Sequence, residues 1–277
     1  MKVLVTGAAG SIGSVVCAGL VDRGHDVAGL DLVAEPEGFT GAWFTADCGD
    51  PDAIDAVLRA AGEAGRLEAV VHLAGVPSEG SLPRMLDSHV VTTGALLDAM
   101  VAHAVPRIIY ASSNHAVGRT PRVEPADPPL AVSTPPRPDT FYGVAKVAAE
   151  ALLRLYVDRH GLDAVAARIG SFGPQPESRR ELATWLSHDD AVRLVEAALI
   201  APDPGFAVLY GISANTRAWW DLEAGRALGY HPQDDAERFA GQIEATPHDE
   251  QDRAEAAYVG GPFATDAFIR PALGSHR

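Results

Sequence analysis

The chain has 277 residues, 47% of them hydrophobic and 21% charged, which is ordinary for a well-packed globular protein of one large domain or two small ones. Its formal net charge of −15 leaves no basic patch for DNA, RNA or an anionic membrane, and an acidic ligand would have to be held by local Arg or Lys. The two cysteines, Cys17 and Cys48, are too few for a disulfide framework and are expected as free thiols in a reducing compartment. A strand pattern begins directly after Met1-Lys2, and no uncharged apolar run approaches membrane-spanning length. A cytoplasmic protein without a signal peptide or membrane anchor is the expectation.

Val3-Leu4-Val5-Thr6 reads as a strand, Gly7-Ala8-Ala9-Gly10-Ser11-Ile12-Gly13 as a turn, and the run holding Val15, Val16, Leu20 and Val21 as a helix. Glycines there permit a tight turn and let backbone amides approach a pyrophosphate at the helix N-terminus. The second strand, Asp26–Asp31, ends in a carboxylate about twenty residues on, where an adenosine ribose is bound; a carboxylate repels a 2′-phosphate, so NAD is favoured over NADP. A third strand at 43–47 places Asp47 toward the adenine. A helix at 51–63 follows, then a buried strand, Ala69–Gly75, whose small end residues Leu73, Ala74 and Gly75 let a cofactor lie across it. One long helix is expected over about 81–104, and the strand from Arg107 ends in Ser112-Ser113-Asn114-His115.

Residues 119–139 hold seven prolines and no periodicity, which reads as a loop over the site. In the next helix Tyr142 and Lys146 stand four apart and share a face. An ammonium beside a phenol favours its ionised form, which a tyrosine base requires near neutral pH. Strands at 164–169 and 206–210 flank a loop from Gly170 and an apolar helix after Ser187. The alternating units predict an α/β fold with a Rossmann-type, doubly wound parallel sheet, ligands lying beyond the strands' carboxyl ends. The expected organisation is a single domain, 1–277: a core over about 1–170 plus the strand at 206–210, with a small substrate-binding part from 171–190 and 215–277. His188-Asp189-Asp190 could suggest a metal, but Ser187-x-x-Asp190 before an apolar run reads as a helix capping box, so no metal is expected. His72 reads as a satisfied structural histidine. Trp219 and Trp220 read as packing residues with nothing basic around them.

A glycine loop, a Ser ending the fifth strand and a Tyr-x-x-x-Lys on the following helix together resemble the short-chain dehydrogenases/reductases of the extended, NAD-dependent epimerase/dehydratase type. The resemblance implies that Ser113 holds the substrate oxygen, Tyr142 is the acid/base, and Lys146 binds the nicotinamide ribose while lowering the Tyr142 pKa. Ala111–His115, Arg137-Pro138-Asp139, Arg168–Ser171, Thr184–Asp190, Ser213-Ala214-Asn215 and Trp219-Trp220-Asp221 are similar to one branch, the bacterial uronate dehydrogenases. Those oxidise the anomeric carbon of a cyclic hexuronate, D-galacturonate or D-glucuronate, with NAD to an aldarolactone. The same resemblance implies sugar-acid contacts at Asn114, His115, Ser171 and Arg180, with Arg179 as the neighbouring alternative. A fixed Arg fork suits a carboxylate, and the roughly hundred residues after Ser171 leave less room than a nucleotide-sugar epimerase needs. His89 stands where the family usually has Asn, and Pro77 where a substrate-contacting Ser is expected, with Ser78 adjacent. Rival readings are a sugar epimerase or neutral-aldose dehydrogenase and, from another class, a non-catalytic dinucleotide-binding protein. Family members often pair through the helices after the fourth and fifth strands. The apolar runs at about 90–101 and 144–157 suit a homo-oligomer or burial against the sheet equally.

Overall fold

The computed structural model describes residues 1–63, 65–122, 129–245, 250 and 255–273. In chain order the elements that position the site are β1 (Lys2–Thr6), α1 (Ser11–Asp22), β2 (Asp26–Asp31), β3 (Ala42–Thr45), α2 (Pro51–Glu63), β4 (Ala69–His72), α3 (Leu82–Leu86), α4 (Thr92–Ala102), β5 (Arg107–Ser113), α5 (Phe141–His160), β6 (Asp163–Ile169), β7 (Ser171–Phe172), α6 (Glu181–Thr184), β8 (Trp185–Leu186), α7 (His188–Ile200) and β9 (Phe206–Gly211). Seven strands form one parallel sheet in the order β3-β2-β1-β4-β5-β6-β9, and β7 pairs with β8 as a two-stranded patch. The order reverses beside β1, so the crevice between β1 and β4 opens at their carboxyl ends, where such sheets bind ligands.

Successive strand residues point to opposite faces, and both faces are covered. Leu4, Leu30, Val70, Ile108 and Ala166 pack with Ile54, Leu58, Leu96, Leu97, Met100 and Leu153 of α2, α4 and α5. Val3, Val5, Val71, Ile109, Val165 and Leu209 pack on the other face with Val16, Cys17, Leu20, Leu194 and Leu199 of α1 and α7. Burial on both sides explains why these strands read as continuous apolar runs rather than alternating ones. Beyond the sheet, Tyr210, Ile212, Trp219, Trp220 and Val259 form a separate cluster, and Leu182, Trp185, Ala236 and Ala240 another. Trp219 and Trp220 are packing residues as expected, but the Arg122 guanidinium lies 4.1 Å from the Trp219 ring centroid, so the expectation of nothing basic nearby is corrected. Cys17 and Cys48 are buried and unpaired by disulfide. No helix among the described residues is long and apolar enough to cross a membrane.

The sequence pattern predicts one helix over 81–104, whereas α3 and α4 are separated by a π-helical turn, Asp87–Val91. Two hydroxyls take carbonyls that the regular ladder would use: Thr92 Oγ1 donates to Asp87 O at 3.1 Å and Thr93 Oγ1 to His89 O at 2.6 Å. Apolar periodicity does not register such a widened turn, and within it the His89 ring lies against Tyr142. The Pro-rich loop runs over the sheet edge in its described parts, with Leu130 bridging to Trp220 and Pro121 to Tyr258; its residues 123–128 lie outside the described residues.

α5 is fixed at both ends and in the middle. Gly161 ends it in the left-handed region at φ 68°, which glycine adopts without a Cβ penalty. At mid-helix Glu150 is buried and takes Arg168 Nε at 2.9 Å and Nη2 at 2.8 Å, with Ser112 Oγ donating to the same carboxylate at 2.5 Å. This bidentate pair joins α5 to β6. Removing one partner strands a charge in the interior, so Arg168→Met is expected to lower unfolding free energy by about 3–5 kcal/mol in urea titration. A loss under about 1 kcal/mol would show that the pair is not what holds α5.

Candidate active site

The carboxyl ends of β1, β2, β4 and β5 border a cleft of about 560 Å³ lined by Gly7, Gly10, Ser11, Ile12, Gly13, Asp31, Asp47, Leu73, Ala74, Gly75, Pro77, Arg84 and Ala111, among others. Its floor is a backbone cradle. Gly7 has φ +69°, and a Cβ there would lie 2.7 Å from Ala74 N; a Cβ on Gly13 would lie 2.1 Å from Gly7 O. Only glycine allows α1 to start this close to β1, and the N-terminus of α1 then faces the cleft. Asp31 at the end of β2 is aimed back at the loop, Oδ2 accepting from Ala9 N at 2.9 Å and Oδ1 from Leu32 N at 2.7 Å. Asp47 Oδ1 accepts from Gly49 N at 2.8 Å. The cradle, the helix terminus and the carboxylate at the second strand's end fit a dinucleotide. Every sequence-derived cofactor residue other than Lys146 lines this cleft.

Lys146 and Tyr142 project from α5 toward the end of β5. Lys146 Nζ donates to Ala111 O at 2.7 Å and lies 5.4 Å from the Tyr142 ring centroid. Ser113 Oγ accepts from His115 N at 3.2 Å, and the Ser113 hydroxyl favours the ionised form of the Tyr142 phenol. Asn114 and His115 follow in a 3-10 turn, with Asn114 buried and its Oδ1 unpartnered. Their placement depends on a close approach: a Cβ on Gly143 would stand 2.5 Å from His115 O, so the glycine after Tyr142 lets the turn rest on α5. Desolvation pushes the Tyr142 phenol up to about 12, the Ser113 hydrogen bond pulling it down and Asp139 pushing it up. Desolvation also pushes Lys146 down to about 7, against the Glu150 charge that raises it. The expected lowering of Tyr142 by Lys146 is not what the site shows: the phenol is raised, because burial penalises both charged forms.

The π turn puts His89 into this group. Its ring is 5.2 Å from that of Tyr142, edge-on; Nε2 is 3.0 Å from Val76 O, and Nδ1 is buried without a partner. A carbonyl only accepts, so Nε2 carries the proton and Nδ1 is an open acceptor. His72 is bound on both ring nitrogens, Nδ1 to Thr6 Oγ1 at 2.7 Å and Nε2 to Thr93 Oγ1 at 3.2 Å, as a structural histidine should be. Burial, then the Lys146 charge, pushes both His72 and His89 down to about 3.

Across the site, Arg180 precedes α6 and reaches Ser171 Oγ with Nη1 at 3.2 Å and Val259 O with Nη2 at 2.9 Å, while Nε is buried and unpartnered. Burial pushes its pKa down to about 10, against the charges of Glu181, Asp139 and Glu255, which raise it. Arg179, the alternative, is engaged with Glu244 through its backbone carbonyl at 3.1 Å and its carboxylate at 3.8 Å. Pro77 lines the cleft and Ser78 stands exposed on the same loop. Phe263 was not foreseen: its ring stacks on His115 at 4.2 Å and lies 6.4 Å from Tyr142. It comes from a short 3-10 turn late in the chain, where neither periodicity nor spacing marks it. Ser187 Oγ caps α7 by accepting from Asp190 N at 2.9 Å, but the Asp190 carboxylate does not close the box; it binds Arg193, Gln233 N and Asp234 N. His188 stacks on Phe172 at 4.9 Å.

A parallel sheet of this order, with a glycine cradle at its switch point, defines a Rossmann-type dinucleotide-binding protein. The model of the NAD dependent epimerase/dehydratase family matches residues 3–201, and the chain belongs to that family. It is 35% identical to a uronate dehydrogenase of Pseudomonas syringae over 95% of this chain and 92% of the relative. It is similar to the crystal structure of uronate dehydrogenase from Agrobacterium tumefaciens, with TM-score 0.87 and 36% identity over 99% of this chain and 98% of that one. It is also 34% identical to an NAD-dependent glucose-6-phosphate dehydrogenase of Haloferax volcanii, over 90% of this chain and 98% of the relative.

Two buried imidazoles held neutral carry a pH consequence. Their folded pKa is depressed below the unfolded value near 6.5, so the unfolded chain binds more protons between about 3 and 6.5. The associated stability is complete above pH 6.5 and is lost as pH falls toward 3. His89→Asn should flatten part of this acid slope in urea midpoints taken from pH 7 to 4; an unchanged slope would show that His89 does not contribute.

Proposed function

We propose that this chain is an NAD-dependent dehydrogenase that oxidises the anomeric carbon of a cyclic hexuronate to an aldarolactone. The observation that carries the reading is Arg180. Its hydrogen-bond partners, Ser171 Oγ and Val259 O, are neutral and Nε is unmet, so although the charges of Glu181, Asp139 and Glu255 favour the guanidinium, it keeps donor capacity that an anion can complete. A sugar carboxylate matches its fork. The uronate dehydrogenase relatives supply the same substrate class independently.

Gly7, Gly10, Ser11, Ile12 and Gly13 would hold the pyrophosphate, Asp31 the adenosine ribose, Asp47 the adenine side, and Leu73, Ala74, Gly75 and Lys146 the nicotinamide half. Bound NAD supplies a hydride acceptor and a positive charge beside α5. Ser113 donates to the C1 oxygen and fixes its direction toward Tyr142. Tyr142 takes the C1 hydroxyl proton, and the Lys146 ammonium stabilises the phenolate required for that transfer. Asn114, His115 and Ser171 meet sugar hydroxyls, and Ser78 stands at the rim. Residues 171–190 and 215–277 act as the substrate-binding part. Two buried thiols suit a cytoplasmic location. Exposed Val91, Val144 and Leu155, on the π turn and α5, suit pairing with a second copy.

A second reading has a specific basis. The Haloferax relative acts on a sugar phosphate, and an Arg fork binds phosphate as well as carboxylate. Purified protein with NAD should reduce the cofactor with D-glucuronate or D-galacturonate and not with D-glucose; turnover of D-glucose 6-phosphate alone would favour the second reading. Arg180→Met should lower kcat/KM for the uronate by about a hundredfold or more, the cost of a lost charge-assisted pair. An equal effect on acid and neutral sugar would remove Arg180 from carboxylate recognition. Tyr142→Phe should lower kcat at least about a hundredfold with NAD binding retained; a fully active variant would refute its role as base.

A further inference from the structure

Three parts of the site converge on Asp139. It lies in the loop before α5, and its side chain is fully buried, 0% exposed. Its two oxygens are divided between two tasks. Oδ2 lies 2.8 Å from His115 Nδ1, and Oδ1 accepts from Thr140 Oγ1 at 2.9 Å. Thr140 is the N-cap of α5, its hydroxyl oxygen accepting from Gly143 N at 3.1 Å. The carboxylate thus reaches the first turn of the Tyr142 helix through one oxygen and the His115 ring through the other. Two backbones close over it: a Cβ on Gly118 would stand 1.9 Å from Oδ2 and one on Gly260 2.0 Å from the same atom. Gly260 N donates to Gly118 O at 2.9 Å, which ties that cover shut and leads directly into the turn that stacks Phe263 on His115.

An ionised carboxylate only accepts hydrogen bonds. His115 must then carry its proton on Nδ1, and in the neutral ring Nε2 becomes an acceptor. Which ring nitrogen is protonated is set by the hydrogen bond that the other makes. An acceptor at Nε2 suits a sugar hydroxyl, which can donate. With Phe263 fixing the ring plane and Asp139 fixing rotation about it, little freedom is left to His115.

We propose that Asp139 is a positioning residue that sets the His115 tautomer, presenting Nε2 as an acceptor to a substrate hydroxyl, while holding the N-cap that places Tyr142. Sugar recognition and acid/base placement are thereby set by one carboxylate. The catalytic half of this proposal rests on the dehydrogenase reading; the tautomer half does not.

The test is a long-range proton–nitrogen correlation spectrum of protein labelled with 15N-histidine, at about pH 8, above the ordinary imidazole range. The His115 signal is assigned by its loss in His115→Asn. Wild type should show the Nδ1–H tautomer; an Nε2–H tautomer or an imidazolium would overturn the proposal without any variant. Asp139→Asn should move the ring toward Nε2–H and lower kcat/KM for D-glucuronate by about 10- to 100-fold, with KM for NAD within about twofold. A shifted tautomer with unchanged kcat/KM would remove the catalytic half. Thr140→Val keeps the His115 bond and should leave the tautomer as in wild type while lowering kcat. If the wild type does not turn over uronate at all, the functional reading fails, and the spectrum still decides the tautomer.

Discussion

The placement of α5 is the constraint on which the rest of the site depends. Tyr142 and Lys146 act at one point only if their helix is fixed in rotation and depth against the sheet. The protein achieves this by satisfying the helix N-terminus completely. Phe141 N and Tyr142 N donate to the Glu79 carboxylate at 3.1 and 2.8 Å, Gly143 N to Thr140 Oγ1, and Val144 N to Thr140 O. All four amides that a helix start leaves without intrahelical partners, or with only a cap carbonyl, are met by fixed acceptors. Glu79 comes from the loop after β4, so the strand that borders the cleft also holds the helix that carries Tyr142. Further along, the Glu150–Arg168 pair fixes the same helix to β6.

Burial makes that placement chemically consequential. The interior that holds the pair also penalises both charged forms, raising the phenol and lowering the ammonium. On the proposed reading, Tyr142 would need the charge of a bound cofactor and the Ser113 hydroxyl to favour its ionised form, because burial alone disfavours it. On the far side burial also lowers Arg180, against the charges of Glu181, Asp139 and Glu255. On the proposed reading, a chain with net charge −15 repels an acidic sugar as a whole, and the Arg180 guanidinium would supply locally what that field opposes.

Much of the fold was legible because buried parallel strands write themselves as apolar runs: β1, β4 and β6 hold Val3–Val5, Ala69–Val71 and Ala164–Ala167, with polar residues only toward the strand ends. The cofactor cradle was legible because Gly7 and Gly13 meet steric demands that no other residue satisfies. Local spacing also gave Tyr142 and Lys146, one helical turn apart. What escaped was set by contacts distant in sequence. The π turn at His89 depends on hydroxyl back-bonds that leave hydrophobic periodicity intact. Phe263 and Asp139 meet His115 from segments 148 and 24 residues away in the chain, read from their residue numbers. That Arg179, the neighbour of Arg180, is engaged by Glu244 is likewise a contact across more than sixty positions.

The central claim is that Tyr142 removes a proton from the C1 hydroxyl while hydride leaves C1 of a sugar acid. Its most direct test is turnover of D-glucuronate carrying deuterium at C1, with NAD, followed by mass analysis of the reduced nicotinamide. The account predicts one deuteron in each reduced cofactor and a lactone without deuterium at C1. Reduced cofactor lacking the label, or labelled sugar recovered epimerised with no net reduction, would contradict it.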